Sequence, residues 1–299
     1  MCLCFLQFVN EVCNQTNHSH VGFIARDGYS LIKMFSVLFE NKTSSYIYAP
    51  RLQSQIIRQR YETYSVHVLN KIIEQFQPLL NAEQRWYNYS EAHQLLQQND
   101  QILGPVAWRK MEEYRRYLQR MLKNNSLIVD TIAVQFSAQK LFEDCLKKPV
   151  PFAYWGVHAF GNQHIYKKMG YSSLFNATPL REPQIFTKNW DIMEFLITSI
   201  EPPIMNLNEG VPTYMDNVSE FELFRNHVYQ FVSKGEVDFA AQVKKVFGEM
   251  VPKLSKEFAV EWINSFLDNF QDEDRQYLKD LHYAIDSGHQ NFLPLFNIQ

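Results

Sequence analysis

The chain has 299 residues, enough for one large domain or for a core domain with a helical addition. Its composition, 46% hydrophobic and 20% charged, is normal for a soluble globular protein. The net charge of -3 at pH 7 argues against a general nucleic-acid binder, so we expect no nucleic acid among the partners.

Cysteine usage and hydropathy favour a cytoplasmic protein. Cys2 and Cys4 are too close together, and Cys13 and Cys145 too scattered, to suggest a disulfide framework or a zinc site. This fits a reducing compartment. The apolar opening MCLCFLQFV has no basic n-region and is a poor signal peptide. No run approaches the ~18 apolar residues of a membrane span. We therefore expect a cytoplasmic location, with peripheral membrane association left open.

Strands and helices alternate along the first part of the chain. From residue 52 to about 125 the sequence is polar and periodic at helical spacing, which predicts a helical insertion. The elements predicted before it are a short helix at residues 3–13, a buried strand at 21–25, a helix at 30–39, and a strand at 45–49 that Pro50 ends.

The alternation of strand and helix returns after the insertion. The segment SLIVD, residues 126–130, predicts a buried strand that ends in an acid, and a helix follows at 137–147. The segment PFAYWGV, residues 151–157, predicts another strand, with loops and short strands as far as residue 188. From Trp190 onward the pattern predicts helices.

Repeated strand-helix units predict an α/β fold. We expect a Rossmann-like, mostly parallel sheet with helices on its faces, a helical insertion and a helical C-terminal region. The predicted core spans residues 1–205 and includes the insertion at 52–125, and residues 206–299 form a helical region packed on it. In such a sheet, ligands bind at the carboxyl ends of the strands.

The loop after the first strand is the strongest candidate for a ligand site. Gly28 permits positive φ or close backbone approach, Arg26 can fork onto a phosphate or pyrophosphate, and Asp27 can position a hydroxyl or coordinate Mg²⁺. The loop also places backbone N–H groups at a helix N-terminus, where anions bind. The alternative interpretation is a salt-bridged turn.

Polar residues follow two further predicted strands. Arg51 follows the second strand and either joins the site or pairs with a surface acid. Asp130 ends the third strand and either contacts ribose hydroxyls or caps a helix. Ser137 begins the next helix as a phosphate ligand or as its N-cap, and Gln139 lies beside it.

Several of these segments resemble known families. A hydrophobic strand, Arg-x-Gly and a helix, then a later strand, Asp, loop, Ser and helix, resemble the type I phosphoribosyltransferase fold. The segments FIARDGYSL, YIYAPR and VDTIAVQFSAQ, with EFL at 194–196, resemble more closely a bacterial module of polysaccharide-biosynthesis loci. That module often follows a phosphatase domain of the haloacid-dehalogenase class and resembles a ribofuranosyltransferase. The resemblance covers about residues 15–205.

The resemblance implies a glycosyltransferase that moves a ribofuranosyl-5-phosphate unit from phosphoribosyl pyrophosphate to a glycan acceptor in surface polysaccharide biosynthesis. Its partners would be the phosphosugar donor, the glycan acceptor and a separate phosphatase. It implies Mg²⁺ brought by the donor and held by Asp27 or Asp130, with Arg26 and Asp27 as the catalytic residues. Substrate contacts would come from Gly28, Arg51, Asp130, Ser137 and Gln139, and a further role would fall to Glu194.

Two other functions stay open on the sequence. The segment ARDGYSL resembles the D-x-D-G-T motif of haloacid-dehalogenase phosphatases, although the nucleophilic Asp would fall at Ala25, so such a phosphatase would be degenerate. The third is a non-catalytic phosphosugar-binding or scaffold protein. Two departures from the phosphoribosyltransferase pattern favour it: Thr131 stands in place of a second acid, and residues 131–139 contain no glycine.

Overall fold

A computed structural model gives the fold of this chain. The structure describes residues 1–59, 66–133, 136–158, 170–177, 195–215, 218–269, 273, 276, 278–284 and 292–295. Element labels below number the described helices and strands in chain order.

A five-stranded parallel sheet with its flanking helices forms the core of the fold. Before the insertion lie α1 (Cys2–Gln15), β1 (His20–Ile24), α2 (Tyr29–Leu38) and β2 (Thr43–Ile47). The insertion contains α3 (Arg51–Arg58), α4 (Val66–Leu80), α5 (Tyr89–Gln98) and α6 (Asp100–Met121). After it come β3 (Ser126–Ala133), α7 (Ser137–Leu146), β4 (Phe152–His158) and β5 (Tyr171–Ala177).

The remaining elements form the C-terminal part. These are β6 (Ile204–Asn208), β7 (Val211–Tyr214), α8 (Glu220–Phe247), α9 (Lys256–Asp268), β8 (His282–Ala284) and β9 (Phe292–Pro294). In the part of the chain that the structure describes, no helix combines the length and the apolar character that a membrane crossing requires.

The sheet has the strand order β2-β1-β3-β4-β5, and every neighbouring pair is parallel. The expected Rossmann-like fold is therefore confirmed, as are the helical insertion between β2 and β3 and a C-terminal region that contains long helices. The strand order reverses between β1 and β3. From β1 the chain continues outward to β2 on one side, and from β3 it continues to β4 on the other side. Such a point is where ligands bind in open α/β sheets.

Continuous apolar runs explain the central strands. All five residues of β1 are buried, as are the first four of β3, because helices cover both faces of the sheet. On one face Phe23 and Trp155 pack with α1 and α2, and Trp155 stacks on Phe5 at 5.6 Å between ring centroids. On the other face, Ile128 and Phe152 pack with residues of α6 and α7.

Three features differ from the sequence-based expectation. Strand β3 runs three residues past Asp130, because Ile132 and Ala133 continue the ladder with β4. The region after residue 190, expected to be helical, contains the hairpin β6–β7, whose turn at Glu209 and Gly210 has φ values of 54° and 90°, as two-residue hairpin turns need. The predicted domain boundary at 205/206 falls inside β6.

Helix α8 packs on α2 through polar side chains. The Ser30 hydroxyl contacts the Tyr229 hydroxyl at 2.7 Å and donates to Ser233 Oγ at 2.8 Å. The Tyr229 hydroxyl and the Cys2 thiol also contact the Glu236 carboxylate, at 3.5 and 3.4 Å. This cluster joins the N-terminal helix, the helix after the first loop, and the C-terminal region.

The Glu236 carboxyl makes stability depend on pH. Burial raises its pKa from 4.5 to about 7, even though hydrogen bonds from Ser30, Cys2 and Tyr229 favour the ionised form. Between pH 4.5 and about pH 7, the folded state thus binds more protons than the unfolded state. We expect the free energy of unfolding to fall as pH rises through that window, by at most about 3 kcal/mol.

The substitution Glu236→Gln keeps the shape and removes the charge. We expect this variant to lose the pH slope and to exceed the wild type in stability above pH 7. Urea unfolding at pH 5 and at pH 8 measures both effects, with Asp238→Asn, at an exposed acid on the same helix, as the control. Identical pH slopes in wild type and Glu236→Gln would show that the carboxyl is already ionised in the folded protein.

Candidate functional site

The loop from β1 to α2 lies at the point where the strand order reverses. Helix α2 packs on one face of the sheet with Phe23, while α7 packs on the other face with Phe152. Strand β1 pairs with β3 only as far as Phe23 opposite Val129. The first loop follows directly beyond that pair, at the position where open α/β sheets have a ligand-binding crevice, and we call this position the crevice.

The loop backbone is held in a strained conformation. Arg26 has φ of 71°, in the left-handed region that non-glycine residues rarely adopt. Its N–H donates to the Tyr46 hydroxyl at 2.7 Å, and its carbonyl accepts from the N–H of Tyr29 at 2.9 Å. Strain of this kind persists only where neighbouring contacts enforce it, and it concentrates at functional sites.

Gly28 is required by close packing. Its φ is -82°, so the positive φ of this loop belongs to Arg26 and not to the glycine. A Cβ at Gly28 would lie 2.5 Å from the carbonyl oxygen of Ile24 and 2.8 Å from Cβ of Phe23. The Gly28 N–H donates to that same carbonyl at 2.8 Å, which closes the turn tightly against β1.

Asp27 joins the first loop to β3. Its Oδ2 accepts a hydrogen bond of 2.6 Å from the Thr131 hydroxyl, across 104 residues of sequence. Thr131 is buried and Asp27 is half-buried. The hydroxyl fixes one carboxylate oxygen and leaves the carboxylate at the crevice, where it can accept a proton or approach a cation.

Asp130 lies within β3 and not at its end. Neighbouring strand residues point to opposite faces, so Asp130 lies on the α7 side of the sheet and Thr131 on the α2 side. Asp130 Oδ1 accepts from the Thr131 N–H at 2.9 Å. Burial, and in second place the Asp130 charge, raise the pKa of Tyr154 on β4. The two predicted acids, Asp27 and Asp130, therefore flank the crevice from opposite faces of the sheet.

A buried charge cluster from α8 contacts the first loop. Nη2 of Arg26 lies 2.8 Å from Oε1 of Glu222, and Arg225 contacts the same oxygen. The Glu222 side chain is 1% exposed and that of Arg225 7%. These contacts anchor the side chain of Arg26 to α8.

Two tyrosines of the β2 segment contact one carboxylate. The Tyr46 hydroxyl donates to Glu201 Oε2 at 3.0 Å, and the Tyr48 hydroxyl donates to Oε1 at 3.2 Å. Burial, then the Glu201 charge, raise the pKa of both tyrosines, so both hydroxyls stay protonated donors. Through Tyr46, Glu201 supports the backbone of Arg26.

The structure places the other predicted residues as follows. Ser137 is exposed at the first position of α7, after Phe136 with φ of 54°. Arg51 begins α3, directly after the β2 segment, and its side chain is outside the described residues, as is the whole of Glu194. The predicted roles of Ser137, Arg51 and Glu194 therefore stay predictions.

The structure places Gln139, a predicted substrate contact, away from the candidate site. It is fully buried, and its amide nitrogen donates to Glu143, to the Val150 carbonyl and to the Gly170 carbonyl, at 3.1 to 3.2 Å. Its Oε1 accepts from the Tyr154 hydroxyl at 3.1 Å. Val150 lies two residues before β4 and Gly170 directly precedes β5, so this amide faces the amino ends of the strands, away from the crevice. We drop Gln139 from the candidate site.

Sequence reasoning missed Thr131, Glu201 and Glu222. For Thr131 the signal was present, since it follows Asp130 in a strand and must face the other side. Tyr46 and Tyr48, two residues apart, also had to share a face, but nothing local points to Glu201 as their partner. Glu222 lies 196 residues from Arg26 and carries no motif.

The acids present allow a cation only with help from a ligand. Among the described residues, no three His, Cys, Asp or Glu side chains converge into a metal-binding group. Mg²⁺ often binds through one or two carboxylates together with substrate phosphates. The half-buried Asp27 fits that pattern, because the hydrogen bond from Thr131 to one carboxylate oxygen holds the whole carboxylate in place.

No protein-family model matches the chain, and a search of curated proteins finds no match in sequence. The fold and the site together define a Rossmann-like α/β protein whose candidate site lies where the strand order reverses. Its function is therefore argued from the geometry of that site.

Proposed function

We propose that this protein is a cytoplasmic glycosyltransferase that transfers a ribofuranosyl-5-phosphate unit from phosphoribosyl pyrophosphate to a glycan acceptor in surface polysaccharide biosynthesis. The observation that carries the proposal is the 2.6 Å contact between Asp27 and Thr131 at the crevice between β1 and β3. It places a carboxylate, a strained loop and a helix N-terminus at the position where α/β sheets bind phosphorylated ligands.

The first loop suits the pyrophosphate side of the donor. Arg26 contributes its guanidinium to this side, and the N-terminus of α2 adds its partial positive charge. Asp27 would hold Mg²⁺ together with the donor, and the ion would neutralise charge on the pyrophosphate. Asp130 would contact the ribose hydroxyls and Ser137 the 5-phosphate, from the α7 side.

The proposed transfer is a substitution at the anomeric carbon. The acceptor hydroxyl oxygen bonds to that carbon, the bond to the pyrophosphate oxygen breaks, and pyrophosphate leaves with the electron pair. The proton of the acceptor hydroxyl passes to water, because the Asp27 carboxylate accepts a hydrogen bond from Thr131 and would hold the ion. Arg26 stabilises the charge that develops on the leaving group.

The substitution Asp27→Asn tests the proposal. It keeps the size of the side chain and removes the negative charge, so we expect Mg²⁺-dependent binding of phosphoribosyl pyrophosphate to weaken by at least about tenfold. Isothermal calorimetry with and without Mg²⁺ measures it. The control is Glu40→Gln, which removes an exposed acid just beyond the other end of α2. Wild-type protein that binds no donor at millimolar concentration with Mg²⁺ present would refute the proposed function.

The contact between Arg26 and Glu222 favours a second candidate, a non-catalytic phosphosugar-binding protein. An Arg that is engaged by a buried carboxylate is less available to a leaving pyrophosphate. Donor binding without transfer to any polysaccharide acceptor would support this candidate over the transferase. The phosphatase alternative lacks its nucleophile, because the corresponding position is the buried Ala25.

A further inference from the structure

A second concave site lies in the helical insertion, and we call it the insertion cleft. Its described lining residues come from α4 and from the segment 83–86 that leads into α5. Its volume is about 340 Å³, within the range of about 300–1,000 Å³ that small-molecule sites occupy. These lining residues belong to the insertion and not to the crevice at the sheet. The insertion cleft is therefore a candidate site of its own.

The wall of the cleft that precedes α5 is held in place by α4. The amide nitrogen of Asn70 donates to the Tyr87 carbonyl at 2.8 Å, and its Oδ1 accepts from the Tyr87 N–H at 2.9 Å. The Arg85 guanidinium lies over the Tyr87 ring, 4.1 Å from its centroid. It also pairs with the carboxylates of Glu83 and Glu91, at 3.0 and 3.1 Å. A wall fixed in this way is formed before a ligand arrives, which lowers the cost of binding.

This fixed wall presents Trp86 to solvent. The neighbouring Tyr87 is 6% exposed, whereas Trp86 is 59% exposed and lines the cleft. The Trp86 ring also packs against His67 of α4, at 5.7 Å between ring centroids. An indole offers a large, rigid, flat apolar surface that loses little conformational entropy on binding. Trp86 is therefore placed to stack against a flat apolar face of a ligand.

The charges that line the cleft are paired within the protein. Lys71 Nζ lies 2.8 Å from Glu74 Oε2, and Arg85 Nε lies 3.0 Å from Glu83 Oε2. These two cations and two acids are the charged Lys, Arg, Asp and Glu side chains of the described lining, and they sum to zero. A polyanion such as nucleic acid binds where cations are in excess. The balance of charge in this cleft favours a ligand without net charge.

The remaining lining favours a polar ligand. Among the described residues of the cleft, Ile73 and Trp86 supply the apolar side chains, so a fully apolar ligand would find few partners. Gln77 and Gln84 contribute amides, which offer both donors and acceptors. A sugar hydroxyl is likewise donor and acceptor, and the C–H face of a sugar ring stacks on an aromatic ring. An exposed indole, amides and paired charges together match a neutral carbohydrate.

We propose that the insertion cleft binds a neutral glycan, with one sugar ring stacked on Trp86 and its hydroxyls bonded to Gln84 and to the ion pairs of the cleft. A packed module supports the cleft, since Leu69 and Ile72 of α4 share an apolar core with Leu96 of α5. Although the proposed function also involves a glycan, this inference does not rest on it, because carbohydrate binding here needs neither phosphoribosyl pyrophosphate nor catalysis.

Calorimetry without phosphoribosyl pyrophosphate tests the cleft. The probes are neutral hexasaccharides of glucose, mannose, galactose and N-acetylglucosamine, each at millimolar concentration. We expect the wild type to bind at least one of them, and Trp86→Ala to weaken that binding at least about tenfold, because it removes the stacking surface. The matched control is Trp108→Ala, which removes a 63% exposed indole from α6 and should bind like the wild type.

Fluorine NMR of protein labelled with 5-fluorotryptophan tests the position of the bound sugar. The chain has five tryptophans, and the Trp86 resonance is the one that disappears in Trp86→Phe. We expect this resonance to shift when the hexasaccharide binds, while the resonance that disappears in Trp108→Phe stays in place. This measurement needs only conservative substitutions, so it remains decisive if Trp86→Ala does not fold.

Three results would overturn the inference. The first is a wild type that binds none of the hexasaccharides. The second is undiminished binding by Trp86→Ala in a protein that circular dichroism shows to be folded. The third is a sugar-dependent shift at other tryptophans but not at Trp86. Failure to bind phosphoribosyl pyrophosphate would instead count against the transferase alone, so the two proposals fail separately.

Discussion

Replacing Glu222 with alanine is expected to lower the free energy of unfolding by about 3–5 kcal/mol, among the largest effects of any single substitution in this chain. Glu222 is buried, and its Oε1 contacts both Arg26 and Arg225. Removing the carboxylate takes from both guanidinium groups the acceptor that they share, so the folded state loses more than one hydrogen bond.

Urea denaturation of the wild type and Glu222→Ala measures this loss. The control is Glu220→Ala, an exposed acid in the same first helical turn, for which we expect a change within about 0.5 kcal/mol. If Glu222→Ala proves too unstable to purify, Glu222→Gln keeps the shape and is expected to be intermediate. A loss below about 1 kcal/mol for Glu222→Ala would show that the cluster is solvated in solution.

Replacing Gly28 with alanine is expected to cost about 3 kcal/mol and to abolish donor binding. The added Cβ would lie 2.5 Å from the backbone oxygen of Ile24, and a backbone atom cannot rotate away as a flexible side chain can. The turn must therefore move, and with it Asp27, whose carboxylate is placed by a 2.6 Å contact with Thr131. Stability and binding should fail together.

Thermal unfolding and calorimetry with phosphoribosyl pyrophosphate measure the two effects of Gly28→Ala. Gly104→Ala is the control, because it lies in α6 with open space around the new Cβ. Alanine favours a helix over glycine, so this control should gain about 0.5–1 kcal/mol. A Gly28→Ala protein with wild-type stability would mean that the loop tolerates displacement, and donor binding by that protein would remove the loop from the site.

The C-terminal region takes part in the candidate site. The resemblance to ribofuranosyltransferases covers about residues 15–205, yet Arg26 is held by Glu222 of α8. Ser30, near the start of α2, likewise contacts Tyr229 and Ser233 of the same helix. A truncation after β7 would therefore remove the partners of the first loop and not merely a peripheral extension.

Local patterns were sufficient for most of the fold. Buried apolar runs of five to eight residues predicted β1, β3 and β4, and apolar residues at helical spacing predicted the insertion. Short elements were missed, because the four residues of β7 and the three residues of β8 carry too little pattern to separate them from loops. Strand β3 was cut short because an acid within a strand resembles a strand end.

The loop of Arg26, Asp27 and Gly28 was predicted in its position but not in its detail. A strand followed by a charged turn and a helix is a local signal, and it lies where the strand order reverses. Which residue takes the positive φ was not readable, since Arg26 adopts it only because Tyr46 and the turn hold its backbone. Gln139 was included for its place in a motif, and its burial excluded it.

By itself, the sequence determined the order of strands and helices, the parallel sheet and the end of that sheet at which the candidate site lies, because each follows from periodicity and chain connectivity. Only the tertiary structure decided which side chains meet there. Thr131 with Asp27, Glu222 with Arg26, and Glu201 with Tyr46 are contacts across 104, 196 and 155 residues. Such pairs depend on how helices pack across the sheet, and no spacing along the chain encodes that packing.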